Sequence, residues 1–498
     1  MKEISKVSRR SFLGTAAATA AGITILPSNT IAGLGHKAPS DKLNIVAVGI
    51  GGMGFANLKH METENIIGLC DVDWKYSKKV FDHFPNAKKY WDWRKMYDEM
   101  GKSFDAVLCA TADHSHAGVT SHAITMGKHV YTQKPLTHSV YESRLLTKLA
   151  KKYNIASQMG NQGSSGEGVN LTCEWIWNGE IGEITKIEAF TDRPIWPQGL
   201  NAPKGDVKIP GTLNWDLFIG PAKMRAYNPI YHPWNWRGWW DFGTGALGDM
   251  ACHILHPVFT AMKLGYPTKA QGSSTLLLTD CAPNAQMVTL TFPERQKPSD
   301  IKINLPEVEV IWYDGGLKPK MPVGWPEGRN MNDSGGAVLF HGTKDTLVCG
   351  CYGKDPWLLS GRIPQVPQVR RRVKGGIEGG AHEQDWIRAA KESPASRVPS
   401  ASDFKDSGPF NEMVVMGVLA VRLQGLNKVL EWDGPNMQFT NLNDQEKVKI
   451  CLEDNFSIKD GHPTFNKKWT EPVPAKNFAA ELIKHTYRAP FTLPDMPA

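Results

Sequence analysis

The stretch from Leu43 to Asp73, LNIVAVGIGGMGFANLKHMETENIIGLCDVD, predicts a strand, a glycine turn, a helix and a second strand in that order. The apolar runs Leu43 to Val48 and Ile66 to Cys70 are each short enough for a buried parallel strand. Three glycines with the spacing G-x-G-x-x-G lie directly after the first run: Gly49, Gly51 and Gly54. This arrangement is typical of the first β-α-β unit of a doubly wound parallel sheet.

The glycine turn, which also contains Gly52 and Met53, predicts a site for the pyrophosphate of a dinucleotide. Its first glycine permits the tight turn, the second allows backbone N–H groups to approach the phosphates, and the third lets helix and strand pack closely. Asp71 ends the second strand, where a carboxylate accepts hydrogen bonds from the adenosine ribose and repels a 2′-phosphate. The sequence therefore predicts NAD as the cofactor, with Asp73 as the alternative to Asp71.

The alternation of strands and helices then continues along the chain. Strands are predicted for Phe104 to Ala110, His129 to Tyr131 and Ile155 to Met159, and helices for Ala117 to Met126 and Ser139 to Tyr153. This pattern indicates an α/β domain whose parallel sheet carries helices on both faces.

Such sheets bind ligands beyond the carboxyl ends of their strands, so the loops at that edge supply the candidate cofactor ligands. These candidates are Thr111, His114, His116, Gln133, Lys134 and Gln162. Lys134 stands before a proline of fixed φ, which aims the ammonium at the side of the cleft where the nicotinamide is expected. There it could stabilise the alkoxide that develops as a substrate hydroxyl is oxidised. The alternative is a surface lysine that opens a loop.

A tryptophan-rich segment follows, in which eight of the 17 tryptophans lie between residues 175 and 240. Indole rings interleaved with polar side chains on loops favour a pocket for an amphipathic ligand such as a sugar. The alternative is aromatic packing under a long loop. The candidate substrate-binding residues are Arg193, Tyr231, His232, Trp236, Arg237 and Trp239.

The run Gly248 to Pro257, GDMACHILHP, predicts a helix that carries Asp249 and His253 one turn apart on the same face. His256 follows three residues after His253, about one further turn along that face. An aspartate beside an imidazole fixes its tautomer, so His253 is the candidate general base and Asp249 its orienting partner. Two alternatives are a zinc site formed by the three side chains and histidines that simply pack in the core.

Together the glycine turn, Asp71, the loop from Asp113 to His116, Lys134-Pro135 and the Asp249-x-x-x-His253 spacing resemble the Gfo/Idh/MocA (glucose-fructose oxidoreductase / myo-inositol dehydrogenase) family. The resemblance implies an N-terminal Rossmann domain and a C-terminal α+β domain built on a large, mostly antiparallel open sheet. It also implies that Lys134, Asp249 and His253 are catalytic, that His256 contributes to substrate recognition, and that the protein is a homo-oligomer. One departure is Gln133, which stands where the family usually has a glutamate.

Residues 1–40 are predicted to be a twin-arginine signal and linker, because Ser8 to Leu13 reads SRRSFL and an alanine-rich apolar run follows. This signal predicts export of the folded protein to the periplasm with its cofactor already bound. The predicted domains are the NAD-binding Rossmann domain over 41–160, the α+β domain over 161–433 and a C-terminal extension over 434–498.

Composition limits the other classes of function. The net charge of +7 over 498 residues is too mild to predict nucleic-acid binding, and the mature part has no long apolar run that predicts membrane insertion. The eight cysteines lack C-x-x-C spacing, and neither a disulfide framework nor a metal site is expected.

These features predict an NAD-dependent oxidoreductase that acts on a hydroxyl of a small-molecule sugar or glycoside, carbon 3 being one candidate position. Because the periplasm has no evident NAD pool, the cofactor should stay bound and be recycled. One alternative is a redox-neutral, NAD-dependent glycosidase of the same fold. Another is a non-catalytic carbohydrate-binding protein.

Overall fold

The computed structural model describes residues 41–331 and 335–498. The predicted twin-arginine segment lies outside the described residues. From Leu43 onward the described chain belongs to one compact unit that contains two large sheets and two small two-stranded sheets.

The first sheet has six parallel strands in the order β3-β2-β1-β4-β5-β6. Its strands are β1 (Asn44–Val48), β2 (Asn65–Cys70), β3 (Lys88–Tyr90), β4 (Ala106–Cys109), β5 (His129–Thr132) and β6 (Ser157–Met159). This order is that of a Rossmann domain and confirms the predicted doubly wound sheet.

Helices cover both faces of this sheet. Three contribute to a core on one face: α1 (Met53–His60), α2 (Lys78–His83) and α10 (Ala381–Lys391). Three others contribute to the core on the opposite face: α3 (Trp93–Met100), α4 (Asp113–Thr125) and α5 (Val140–Tyr153). Helix α10 lies more than 200 residues after the last strand of this sheet, so the Rossmann domain is completed by a segment outside the predicted range 41–160.

The second sheet has nine strands in the order β13-β12-β11-β7-β10-β9-β8-β14-β15. They are β7 (Ile184–Phe190), β8 (Lys269–Ser274), β9 (Gln286–Phe292), β10 (Val308–Tyr313), β11 (Ala337–Gly342), β12 (Thr346–Gly350), β13 (Trp357–Leu358), β14 (Leu430–Asp433) and β15 (Gln438–Phe439). Strands β7 and β10 run parallel, and the other neighbours are antiparallel. The large, mostly antiparallel open sheet implied by the family resemblance is thereby confirmed.

The remaining elements surround this sheet. The helices are α6 (Glu167–Asn178), α7 (Trp215–Ile219), α8 (Gly245–Ile254), α9 (His256–Ala261), α11 (Phe404–Arg422) and α12 (Ala475–Ile483). The strands are β16 (Lys447–Val448), β17 (Cys451–Lys459), β18 (His462–Trp469) and β19 (Val473–Pro474). Helix α11 connects the Rossmann domain to the nine-stranded sheet. Its Glu412 pairs with Arg144 of α5 at 2.7 Å and its Asn411 accepts a hydrogen bond from the backbone of Leu136, while its last turns pack against Gly272 of β8.

Two local predictions differ from the structure. The segment from Asp113 to His116, predicted as a loop, is the first turn of α4, because Ala112 is extended and the Asp113 carboxylate suits the helix N-terminus. The segment from Ile301 to Pro306, IKINLP, whose alternation of apolar residues predicts a strand of the open sheet, forms none of the strands of the nine-stranded sheet. The predicted domain boundaries stay predictions; the one at 433 falls between the paired strands β14 and β15.

No helix among the described residues is long and apolar enough to span a membrane. All eight cysteines are buried, and the described residues form no disulfide.

Candidate active site

A cavity of about 370 Å³ lies at the carboxyl edge of the parallel sheet. One wall is formed by the glycine turn, the end of β2 and the loops after β4 and β5. The facing wall comes from residues 232–237, helix α8 and the segment after β12. The cavity therefore lies where open α/β sheets bind their ligands.

The glycine turn has the close packing that its spacing predicts. Gly49 has a φ of +77°, and a Cβ atom on Gly54 would lie 2.1 Å from the carbonyl oxygen of Gly49. Helix α1 begins after Gly52 without a side-chain cap, and Gly51, Gly52 and Met53 line the cavity. Its first N–H groups are thus available to an anionic ligand, so this edge of the cavity fits a pyrophosphate.

Asp71 lines the cavity but is already held by the backbone. Its Oδ2 accepts hydrogen bonds from the N–H groups of Ile50 at 2.8 Å and Gly51 at 3.2 Å, and its Oδ1 accepts one from Asp73 at 2.9 Å. Burial raises the pKa of the Asp71 carboxyl, while these hydrogen bonds oppose the shift. Asp71 therefore fixes the shape of the glycine turn as well as facing the cavity. Asp73 instead contacts Nε2 of His232 at 3.0 Å.

The two histidines of α4 make contacts other than the predicted ones. The ring nitrogens of His114 lie 3.3 and 3.0 Å from the carbonyl oxygens of Phe242 and Phe218. Those of His116 lie 2.8 and 3.0 Å from the carbonyl oxygens of Pro135 and Thr111. His114 still lines the cavity beside Thr111, but His116 does not. His116 holds the loop that carries Lys134, which corrects its assignment as a direct cofactor ligand.

Gln133 lines the cavity, and a hydrogen bond to helix α1 holds its side chain. Its Nε2 donates to Oδ1 of Asn57 at 2.8 Å, and Nδ2 of Asn57 donates to Oε1 of Glu383 at 2.6 Å. A glutamate could not donate the first of these hydrogen bonds, so the amide suits this network. Gln162 also lines the cavity.

Lys134, Asp249 and Arg237 form one ionic cluster in the cavity wall. The Nζ of Lys134 lies 2.6 Å from Oδ1 of Asp249, and Nε of Arg237 lies 3.1 Å from the same oxygen. Burial opposes ionisation of Asp249, but the charges of Lys134 and Arg237 outweigh it and lower the pKa of its carboxyl to about 2. Asp249 is therefore a carboxylate whose hydrogen bonds go to the two cations.

This cluster corrects the predicted pairing of Asp249 with His253. The two residues do share a face of α8, but no hydrogen bond joins them among the described contacts. Nδ1 of His253 is buried without a partner in the part of the chain that the structure describes. Burial, reinforced by the charge of Lys134, lowers the pKa of His253 to about 3. The imidazole is therefore neutral, and it lines the cavity as the candidate proton acceptor.

Tyr352 is a cavity residue that the sequence did not reveal. It has a φ of 64°, which is rare for a residue other than glycine, and its ring centroid lies 4.6 Å from that of His253. Burial raises the pKa of its hydroxyl to about 12, so the side chain is a neutral hydrogen-bonding group. Strained backbone of this kind clusters at functional sites.

Of the predicted substrate-binding residues, Arg193, His232, Trp236 and Arg237 line the cavity. The guanidinium of Arg237 lies 3.9 Å from the ring centroid of Trp234 and 4.3 Å from that of Trp236. Both indoles therefore pack on a guanidinium that is also paired with Asp249.

Three other candidates are corrected because they belong to the core. Tyr231 and Trp239 contact each other edge to face at 4.8 Å inside a buried aromatic cluster, and neither lines the cavity. His256 is buried against Phe410, with ring centroids 5.5 Å apart. Since His256 packs there, the predicted zinc alternative lacks its third ligand. Within the described ranges no group of three His, Cys, Asp or Glu side chains could hold a metal ion.

Comparison with known families matches both domains. Residues 43–161 match the Gfo/Idh/MocA model described as the oxidoreductase family NAD-binding Rossmann fold. Residues 181–269 match the model described as the oxidoreductase family C-terminal alpha/beta domain.

Among curated proteins, levoglucosan dehydrogenase of Pseudarthrobacter phenanthrenivorans is 27% identical over 33% of this chain and 34% of its own length. Glycosyl hydrolase family 109 protein 2 of Akkermansia muciniphila is 25% identical over 31% of this chain and 35% of its own length. The matched region thus spans about a third of each of these relatives.

Solved structures extend the similarity over most of the fold. Levoglucosan dehydrogenase in complex with NADH and L-sorbose has a TM-score of 0.50 and 16% identity, covering 78% of this chain and 98% of that one. The WlbA dehydrogenase of Bordetella pertussis in complex with NADH and UDP-GlcNAcA has a TM-score of 0.52 and 13% identity, and the match covers 79% of this chain and 99% of that one. Two stretches of the chain, residues 43–161 and 181–269, therefore match the two domain models of the Gfo/Idh/MocA oxidoreductase family, and the solved structures share its overall fold.

Proposed function

We propose that the protein is an NAD-dependent oxidoreductase that acts on a hydroxyl group of a sugar or glycoside. The observation that carries this proposal is that one cavity brings together the glycine turn, the Lys134–Asp249 pair and the neutral imidazole of His253. These are the groups needed to hold a dinucleotide, to stabilise an oxyanion and to accept a proton.

The cofactor half of the cavity fits NAD. The uncapped start of α1 would receive the pyrophosphate, and Asp71 would face the adenosine ribose and disfavour a 2′-phosphate. When bound, NAD would supply the two-electron acceptor for the carbinol carbon of the substrate. Thr111, Gln133 and Gln162 would complete the wall of this half.

The catalytic residues divide the remaining work. His253 would accept the proton of the substrate hydroxyl at Nε2, since Nδ1 is buried. Lys134, held by Asp249, would donate a hydrogen bond to the same oxygen as negative charge develops on it. Because two cations hold Asp249 as a carboxylate with a lowered pKa, it positions the ammonium and does not act as the base.

The other half of the cavity suits an amphipathic, polyhydroxylated ligand. Trp234 and Trp236 offer aromatic surface to the C–H face of a sugar, while Arg193, His232 and Tyr352 offer polar groups to its hydroxyls. The similarity to levoglucosan dehydrogenase supports this substrate class.

A redox-neutral glycosidase is the second candidate, favoured by the matches to proteins of glycosyl hydrolase family 109. In that reaction, oxidation at carbon 3 makes the proton on carbon 2 acidic, so the aglycone leaves carbon 1 by elimination. Water then adds at carbon 1, and the carbonyl is reduced again. The same cavity and the same base serve both reactions.

Product analysis separates these candidates. The purified protein is incubated with a panel of sugars and glycosides, and the products are identified by mass spectrometry. A keto-sugar supports the dehydrogenase, and a cleaved glycoside with no net oxidation supports the glycosidase. Unchanged substrate together with measurable sugar binding would support the remaining alternative, a non-catalytic carbohydrate-binding protein.

We further propose that the protein is exported folded by the twin-arginine route with NAD already bound, and that it forms a homo-oligomer. Replacement of both Arg9 and Arg10 by lysine should then keep the precursor in the cytoplasm. Cell fractionation tests the first proposal, and light scattering of the purified protein tests the second. Undiminished periplasmic protein in the lysine variant would reject twin-arginine export.

A further inference from the structure

The segment of residues 485–492, called here the C-terminal strap, reaches the candidate active site. Its Tyr487, Phe491 and Thr492 line the cavity, although residues 434–498 carry no motif that predicts a function. Helix α12 precedes the strap and is anchored in the core by Ala475 and Leu482. The strap therefore starts from a fixed point.

The first half of the strap is attached to the start of helix α5. The Nδ1 atoms of His485 and His138 lie 3.1 Å apart, and the hydroxyl of Tyr487 donates to Oε1 of Glu142 at 2.9 Å. Glu142 also forms the capping box of α5 with Ser139. These contacts fix the strap to the Rossmann domain near the loop that carries Lys134.

The second half crosses to the start of helix α3. The guanidinium of Arg488 donates to Asp216 at 2.9 Å and to the carbonyl oxygen of Gly220 at 3.1 Å. Phe491 is only 7% exposed, and its ring centroid lies 4.2 Å from the guanidinium carbon of Arg94 in α3. The strap thus passes over the cavity between two anchored ends.

The order of the strands identifies the end of the cavity that the strap reaches. Lys134 lies just beyond β5, whereas Asp71 directly follows β2, on the opposite side of β1. A dinucleotide with its nicotinamide near Lys134 and its ribose near Asp71 must extend its adenine toward β3. Trp91, Asp92 and Trp93 follow β3 and line the cavity there. Phe491 contacts α3, which begins at Trp93, so the strap covers the adenine end.

We propose that the C-terminal strap is part of the cofactor site and retains NAD by closing over its adenine half. This inference rests on the proposed NAD site. Dissociation of the cofactor then requires Phe491 to leave its packing against Arg94 and Arg488 to leave Asp216. Such a strap gives a protein exported away from the cellular NAD pool the retention that it needs.

The test compares dissociation of NADH from the purified full-length protein and from single variants. Phe491→Ala removes the ring that packs on Arg94, and Asp216→Asn weakens the anchor of Arg488 at a residue that does not line the cavity. Phe456→Ala, at an exposed phenylalanine of the β17–β18 hairpin, is the matched control. The readouts are NADH release after rapid dilution, the NAD content after desalting, and circular dichroism to verify folding.

We expect Phe491→Ala to raise the dissociation rate by about tenfold or more and Asp216→Asn to raise it by less, with Phe456→Ala unchanged. Should Phe491→Ala fail to fold, Asp216→Asn alone carries the test. If NADH dissociates as slowly from every folded strap variant as from the wild type, the proposed role of the strap in retaining the cofactor is overturned. A wild-type protein that neither contains nor binds NAD instead overturns the proposed function.

Discussion

The Nζ of Lys134 and the Nε of Arg237 both contact the same oxygen of Asp249, at 2.6 and 3.1 Å. This relationship changes the role that the helical spacing alone gives to Asp249. The carboxylate contacts two cations, and no hydrogen bond joins it to His253 one turn away among the described contacts. All three charged side chains are largely buried, so the attraction between the carboxylate and the two cations matters for folding.

Asp249→Asn should therefore cost stability as well as activity. Removing the charge leaves two buried cations without their partner, which should lower the free energy of unfolding by about 3 kcal/mol at neutral pH. Urea denaturation measures this change. Asp82→Asn, at an exposed pair with Lys78, is the matched control and should change it by less than about 1 kcal/mol.

The sign of the pH dependence follows from the lowered pKa of Asp249. Its ion pairs stabilise the fold above the ordinary carboxyl pKa, and this contribution is lost as the pH falls toward about 2. The difference between wild type and Asp249→Asn should shrink over that range. Equal stabilities at neutral pH would contradict the ionic cluster.

The pH profile tests His253 as the base. A base works in its deprotonated form, and a pKa lowered to about 3 keeps His253 deprotonated at every pH above about 5. The value of kcat/KM should accordingly show no acid limb near pH 6.5, the ordinary histidine value. His253→Ala should lower turnover by roughly a hundredfold to ten-thousandfold and leave the NAD content unchanged. An acid limb centred near 6.5 would assign the base to another group or to another environment.

Gly54→Ala tests the glycine turn. The added Cβ would lie 2.1 Å from the carbonyl oxygen of Gly49, so the turn must shift and the variant should lose about 1–3 kcal/mol of stability and bind NAD more weakly. Isothermal titration and thermal unfolding measure these effects. Gly265→Ala adds its Cβ to open space and should change neither; normal NAD binding by Gly54→Ala would be inconsistent with the packed turn.

Asp71→Ala tests cofactor choice. Acid extraction of the wild-type protein should yield NAD and not NADP, because Asp71 repels a 2′-phosphate. The alanine variant should bind both nucleotides poorly, since three backbone N–H groups lose their acceptor and the turn loosens. Tight NADP binding by the alanine variant would show that Asp71 only selects the cofactor at its ribose and is not needed to hold the glycine turn.

The parts of the site that lie close together in sequence could be predicted from it. The glycine turn, Asp71 and Lys134 follow three parallel strands of one sheet, β1, β2 and β5, and the edge at which they meet is set by the direction of those strands. Tyr352 and Phe491 come from segments whose local pattern is unremarkable, and only the fold brings them to the cavity.

The sequence does not predict which side chains point into the cavity and which point into the core. His116 and His256 stand at positions that the motifs favour, yet one holds a backbone loop and the other packs on Phe410. Likewise, Trp236 lines the cavity while Trp239, three residues later, is fully buried. Composition cannot distinguish these cases, because each residue type is equally suited to a pocket and to a core.

Single-turnover spectroscopy of the NAD-loaded protein tests the central claim most directly. Wild-type protein is mixed with each sugar or glycoside of the panel, and the absorbance of reduced nicotinamide is followed in time. We expect transient or lasting reduction with at least one compound, and reduction slower by about a hundredfold or more with His253→Ala or Lys134→Ala at equal NAD content. Reduction that is undiminished in these two variants, or its absence with every compound in a wild-type protein that holds NAD, would contradict an oxidoreductase working through this cavity.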